Sequence, residues 1–161
     1  MQKQSVKLNM AAVSDEQIIN EAVSLVNEGL EVTLLVRGWS MLPFIIGGIE
    51  SAVLTRPGKV SRGDVVLARV APGRCVLHRV MEITEEKVVL MGDGNIRGRE
   101  LCRPEDILAR TDEIVDENGR RRRLDTPARR RAARIWRWLL PVRRWLLAVY
   151  KRTYLRGRNI Q

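Results

Sequence analysis

The spacing of apolar and polar positions along this 161-residue chain changes twice, which divides it into three zones. In residues 1–30, Ile18, Ala22, Leu25 and Val26 recur at helical spacing between Asn9 and Gly29. Ser14 with Gln17 fits a capping box, and Gly29 suits a C-terminal cap, so one amphipathic helix is expected there. Residues 31–124 change to short runs of β-forming residues: Val32–Val36, Ser51–Thr55, Asp64–Val70, Cys75–Ile83, Lys87–Met91 and Ile107–Val115. Turn residues separate them at Pro57-Gly58, Arg62-Gly63, Pro72-Gly73, Gly92 to Gly98 and Asn118-Gly119. The last of these predicts a hairpin with a type I′ turn, because Asn-Gly readily takes two positive φ angles. Many short strands at this spacing imply a mainly β domain, a barrel or sandwich, and not alternating βα units.

Residues 125–161 return to helical spacing. Thr126 is placed as an N-cap, with Pro127 at the first helical position. From Ile135 to Tyr150 the apolar residues sweep a broad arc that includes Trp136, Trp138 and Trp145 and is interrupted by Arg143. Arg137, Arg144 and Lys151 stack on the other side at seven-residue intervals, and Pro141 should kink the helix. The expected architecture is thus an N-terminal helix, a β domain and a basic amphipathic C-terminal helix.

Composition narrows the picture. With 45% hydrophobic and 30% charged residues the chain is globular, and its length suffices for a core that needs no staples. Cys75 and Cys102 form neither a disulfide framework nor a metal-binding spacing, so no metal or cofactor is expected. No apolar stretch suits a signal peptide or a transmembrane helix, which points to the cytoplasm. The net charge of +10 is concentrated after Arg120, in Arg120–Arg123 and Arg129–Arg131, and suits an anionic partner.

Candidate chemistry begins at Gly38-Trp39-Ser40-Met41-Leu42-Pro43, directly after a strand. A serine on such a constrained turn can present its hydroxyl while neighbouring amides face a developing oxyanion. The only histidine, His78, lies in the strand Val76-Leu77-His78-Arg79-Val80. Serine needs a base to lose its proton, and an imidazole, with an ordinary pKa of about 6.5, is suited to that task. Asp93, in Met91-Gly92-Asp93-Gly94-Asn95, is a candidate to orient the imidazole, or else a turn aspartate that binds its own backbone. Side chains alternate along a strand, so Arg79 should point away from the site if His78 points into it. Gly38 and Met41, beside the serine, are candidates for substrate contact, with core packing the other reading for the methionine.

In this order, Gly-x-Ser-Met-x-Pro, Gly63-Asp64-Val65-Val66, His78-Arg79-Val80 and Gly92-Asp93-x-Asn95 resemble the boxes of the signal peptidase I relatives over roughly residues 31–110. The likeness is to the endoplasmic-reticulum and archaeal type, whose base is histidine. Bacterial signal peptidases and LexA-type repressors have lysine there. The resemblance implies a β-rich fold and a serine endopeptidase in which Ser40 attacks a peptide carbonyl with His78 as base. Its substrate would be a peptide or precursor protein in extended form. Where histidine-type relatives carry another aspartate beyond the Gly-Asp turn, this chain has Arg99 followed by Glu100, so the acid is either Asp93 or missing, leaving a Ser–His dyad.

The membrane anchor of such relatives has no counterpart before Ser40. The Ile135–Tyr150 segment could replace it by lying on an anionic membrane surface through Trp138, Trp145, Arg137 and Arg144, in which case the protein is peripheral. Nucleic acid is the less favoured partner, because no recognition motif accompanies the arginines. The alternative to an enzyme is a catalytically silent β domain that binds lipid or nucleic acid through this region.

Overall fold

The structure, a computed structural model, describes residues 5–7 and 15–155. Its strands are β1 (Ser5–Lys7), β2 (Glu31–Leu35), β3 (Ser51–Thr55), β4 (Val65–Ala71), β5 (Arg74–Ile83), β6 (Val88–Met91), β7 (Glu100–Cys102), β8 (Ile107–Val115) and β9 (Arg121–Arg123). Its α-helices are α1 (Asp15–Asn27), α2 (Pro127–Trp138) and α3 (Arg143–Tyr150). The strands form one curled half-barrel sheet in the order β1-β2-β3-β8-β4-β5-β6-β7, with β9 added to β8. All pairings are antiparallel except β1 with β2.

Strand β4 shows how the sequence imposes two-sided burial. Val65, Val66, Leu67 and Ala68 are buried in succession, a pattern only a strand covered on both faces can use. Val65 and Leu67 join Ala22 and Val26 of α1 in the larger core, while Val66 and Ala68 join Val80, Val88 and Leu90 in a second cluster. Helix α1 thus covers one face, because its buried residues Ile18, Ala22 and Val26 repeat at four-residue intervals. Ser14, expected to cap it, lies outside the described residues.

Three strands escaped the expected pattern. Segments β1 and β7 are only three residues long, and β9 is composed of arginines. The arginines of β9 alternate as a strand requires. Arg122 turns inward, donating to buried Glu50 at 2.6 Å, while Arg121 faces Glu31 and Glu113 and Arg123 faces Asp125. The hairpin before it also differs from the expected type I′ turn. Gly119 has φ of 77°, but no described non-glycine residue has positive φ, so Asn118 does not. Asp116 instead accepts the Asn118 and Arg120 amides on its carboxylate and the Gly119 amide on its carbonyl, which gives a three-residue loop closed by a left-handed glycine.

The C-terminal segment is two helices and not one kinked helix. Thr126 caps α2 by accepting from the Arg129 amide, with Pro127 at its first position, and the chain breaks over 139–142 around Pro141. Both helices dock on the β domain: Leu147, Trp136 and Tyr150 pack with Leu42 and Ile46, which lie just after the serine. No helix among the described residues is long and apolar enough to cross a membrane.

Candidate active site

Ser40 is half-buried on the irregular turn that follows β2. Backbone bonds within the turn, from Leu42 to Trp39 and from Phe44 and Ile45 to Met41, fix its shape. Gly38, at φ of 73°, supplies the left-handed conformation at its entrance, and its carbonyl is approached so closely by Gly47 that a Cβ there would overlap it.

The Gly92–Asn95 loop lies directly on this turn. Gly94 donates its amide to the Ser40 carbonyl at 2.7 Å, and a Cβ on Gly94 would overlap the Trp39 carbonyl. A Cβ built on Gly92 would overlap the Ser40 carbonyl oxygen and stand 3.0 Å from His78 Nε2. The serine backbone and the histidine ring therefore converge on the space that Gly92 leaves empty.

His78 comes from β5 and is 4% exposed. Its Nδ1 lies 3.0 Å from Glu100 Oε2, contributed by the short β7. Burial pushes the imidazole below its ordinary value of 6.5, and the Glu100 carboxylate, by charge and by hydrogen bond, partly offsets this. The ring is therefore neutral at pH 7, with Nδ1–H donated to Glu100 and Nε2 left as the basic nitrogen. As pH falls through 6.5 the unfolded chain takes up this proton first, so stability declines from there until the folded ring also protonates.

Asp93, a candidate either to orient the imidazole or to serve as a turn aspartate, pairs with Arg79, and the carboxylate beside His78 Nδ1 is that of Glu100. Both Asp93 oxygens are taken by Arg79, at 2.9 and 3.1 Å from Nε and 2.6 Å from Nη2, with both side chains almost fully buried. Arg79 also donates to the Gly63 carbonyl at 2.7 Å and lies over the Phe44 ring. Neighbouring residues His78 and Arg79 thus go to different partners, as strand alternation requires. The Gly63-Asp64 box is scaffold: Asp64 accepts from the Ser61 amide and from Arg130 at 2.8 Å.

A cleft of about 380 Å³ opens beside Ser40 and His78. Ile18 and Ile19 of α1, Leu34 of β2, and Leu67 and Leu77 of the β4–β5 hairpin contribute its apolar wall. Met41 is 1% exposed and packs in the larger core, in keeping with the core-packing reading. Gly38 shapes the turn, and Leu35, Val36 and Arg37 line the cleft on that side. Cys75 also lines it, but burial pushes its thiol up, away from a reactive thiolate. Among the described residues no group of three or more His, Cys, Asp or Glu side chains could hold a metal ion.

Sequence reasoning missed two parts of the site. One is Glu100, which follows Arg99 at the place where histidine-type relatives carry a further aspartate but lies in a strand too short to register. The other is the clamp from the C-terminal helices. Trp136 Nε1 donates to the Asp93 carbonyl at 2.7 Å, and buried Arg143 donates to the Asn95 carbonyl at 2.9 Å. Trp138, Trp145 and Arg144 lie exposed and away from these contacts, and Arg137 is half-buried. No family model, curated protein or solved structure matches the chain.

Gly92→Ala should lower stability by about 2 kcal/mol, because the new methyl meets backbone that cannot yield cheaply; equal melting temperatures for variant and wild type would contradict it. Asp93→Asn and Glu100→Gln should separate by readout. The first leaves Arg79 buried with a weakened partner and should cost about 3 kcal/mol in denaturant unfolding. The second should leave unfolding nearly unchanged but move the His78 titration, followed by NMR, further below 6.5, since Glu100 is what holds it up. An unmoved His78 titration in Glu100→Gln would contradict the assignment.

Proposed function

We propose that the protein is a serine endopeptidase with Ser40 as nucleophile, His78 as general base and Glu100 as the residue that orients the imidazole. The observation that carries this reading is the convergence of the Ser40 backbone and His78 Nε2 on Gly92, with both residues lining one cleft and His78 Nδ1 held by a carboxylate. Such an order of hydroxyl, imidazole and carboxylate serves one purpose in acyl transfer. It removes a proton from a weak nucleophile without a permanently charged base.

In the reaction, Ser40 Oγ attacks the peptide carbonyl carbon while its proton passes to His78 Nε2. Glu100 stabilises the imidazolium through Nδ1–H, and the Ser40 amide is the natural donor to the oxyanion. His78 then returns the proton to the leaving amine as the C–N bond breaks. Water, activated by the same imidazole, releases the acyl group from Ser40.

The substrate is read as an extended peptide. In the described pairings, Arg74–Leu77 of β5 bonds to β4 only, because β6 begins its pairing at Arg79. That free edge borders the cleft, and an extended segment can add to it as a further strand. The ordered boxes and the mainly β half-barrel support kinship with the signal peptidases of histidine type, with glutamate in place of the expected aspartate.

Incubation with a library of internally quenched peptides, read by mass spectrometry, tests the proposal. Cleavage by wild type should fall at least about a thousandfold in Ser40→Ala, which loses the nucleophile while keeping the fold. Equal turnover by both proteins would overturn the assignment.

A further inference from the structure

The apolar arc of the C-terminal helices is wider than the β domain can cover. On α3, Arg143, Leu147 and Tyr150 make the inward face, at intervals of four and three residues. Val142, Trp145, Leu146 and Val149 recur at the same helical spacing but point outward, with Trp145 63% and Val149 61% exposed. Across the turn at 139–142, α2 ends in Ile135 and Trp138, and Trp138 is 85% exposed. Six large apolar side chains on two consecutive helices and the turn between them exceed the scattered single exposures of an ordinary surface.

The charge carried by the C-terminal segment itself has one sign. No Asp or Glu occurs after Asp125. Arg131 and Arg134 are exposed one turn before Ile135 and Trp138, on the same side of α2 by helical spacing. Arg144 lies over the Trp145 ring, its guanidinium 4.7 Å from the ring centre, and exposed Lys151 and Arg152 follow α3. In contrast, Arg121, Arg122, Arg123 and Arg130 are engaged by acidic side chains of the fold, so the arginine run at β9 is not the free basic surface.

We propose that the outward face of α2 and α3 docks on an anionic lipid bilayer. Trp138, Trp145, Leu146 and Val149 enter the boundary between headgroups and acyl chains, and Arg131, Arg134 and Arg144 meet lipid phosphates. Charge complementarity selects an anionic surface, and the exposed aliphatic side chains favour lipid over nucleic acid, whose phosphates offer no apolar medium to receive them. The inference is independent of the peptidase chemistry, since none of these side chains belongs to the cleft. It also fits with Trp136 and Arg143, on the inward side of the same helices, holding the Gly92–Asn95 loop.

Flotation of the full chain with vesicles tests the proposal, using phosphatidylcholine alone and phosphatidylcholine mixed with phosphatidylglycerol. Binding to the anionic vesicles should exceed binding to neutral ones by at least about tenfold and weaken as salt is raised. Trp138→Ser, Trp145→Ser and Val149→Ser together should reduce binding by about tenfold or more. Their melting temperature should stay at the wild-type value, because these side chains face solvent. Ser40→Ala should float like wild type. Failure of wild type to float, or equal flotation of the triple variant, would overturn the proposal. So would a DNA duplex complex, or a dimer in sedimentation, that disappears with the same three substitutions, since the surface would then belong to nucleic acid or to a second copy.

Discussion

Two stretches of backbone meet at van der Waals distance around Gly92 and Gly94, and the geometry of the candidate site depends on that meeting. The serine turn and the loop after β6 are joined by the Gly94 amide on the Ser40 carbonyl, and neither glycine has room for a side chain. Because β5 pairs with β6 up to Arg79 opposite Met91, His78 arrives beside the same loop. The backbone of Ser40 on one chain segment and the imidazole of His78 on another are therefore brought together by backbone contacts around Gly92. The loop is gripped from below by Arg79 on Asp93 and from outside by Trp136 and Arg143.

That arrangement explains why two acids with similar credentials have different work. Asp93 and Glu100 both lie within reach of the β5 strand, but Arg79 needs a carboxylate of its own. A guanidinium as deeply buried as Arg79 is tolerable only when its donors are matched, and the planar fork of arginine fits both Asp93 oxygens. His78 is left with Glu100, which retains partial solvent access and can respond to charge on the ring. The helix pair connects the site to the exterior. Its inward residues brace the loop and its outward residues form the apolar face, so that face is adjacent to the loop beside His78.

The strands that bury alternate or successive β-branched residues were legible in the sequence, from Val32 to Val115, because their cores demand that spacing. So was the placement of Ser40 on a turn and of His78 in a strand, marked by turn chemistry and by the single imidazole. Segments β7 and β9 were not, since three residues give no period and Arg121–Arg123 carries no apolar signal; its strand form rests on acids supplied by distant residues Glu31 and Glu50. The Asn118-Gly119 turn followed the Asp116 carboxylate and not the dipeptide's own preference. Arg143 looked like an interruption of an apolar arc and is in fact a buried clamp, a role set by the carbonyl of Asn95, forty-eight residues earlier.

Covalent labelling by a fluorophosphonate is the most direct measure of whether His78 activates the Ser40 hydroxyl. The account predicts stoichiometric modification, mapped to Ser40 by peptide mass spectrometry and abolished in a folded His78→Ala variant. An unlabelled wild-type protein, or label at Ser40 that persists undiminished without the imidazole, would contradict it.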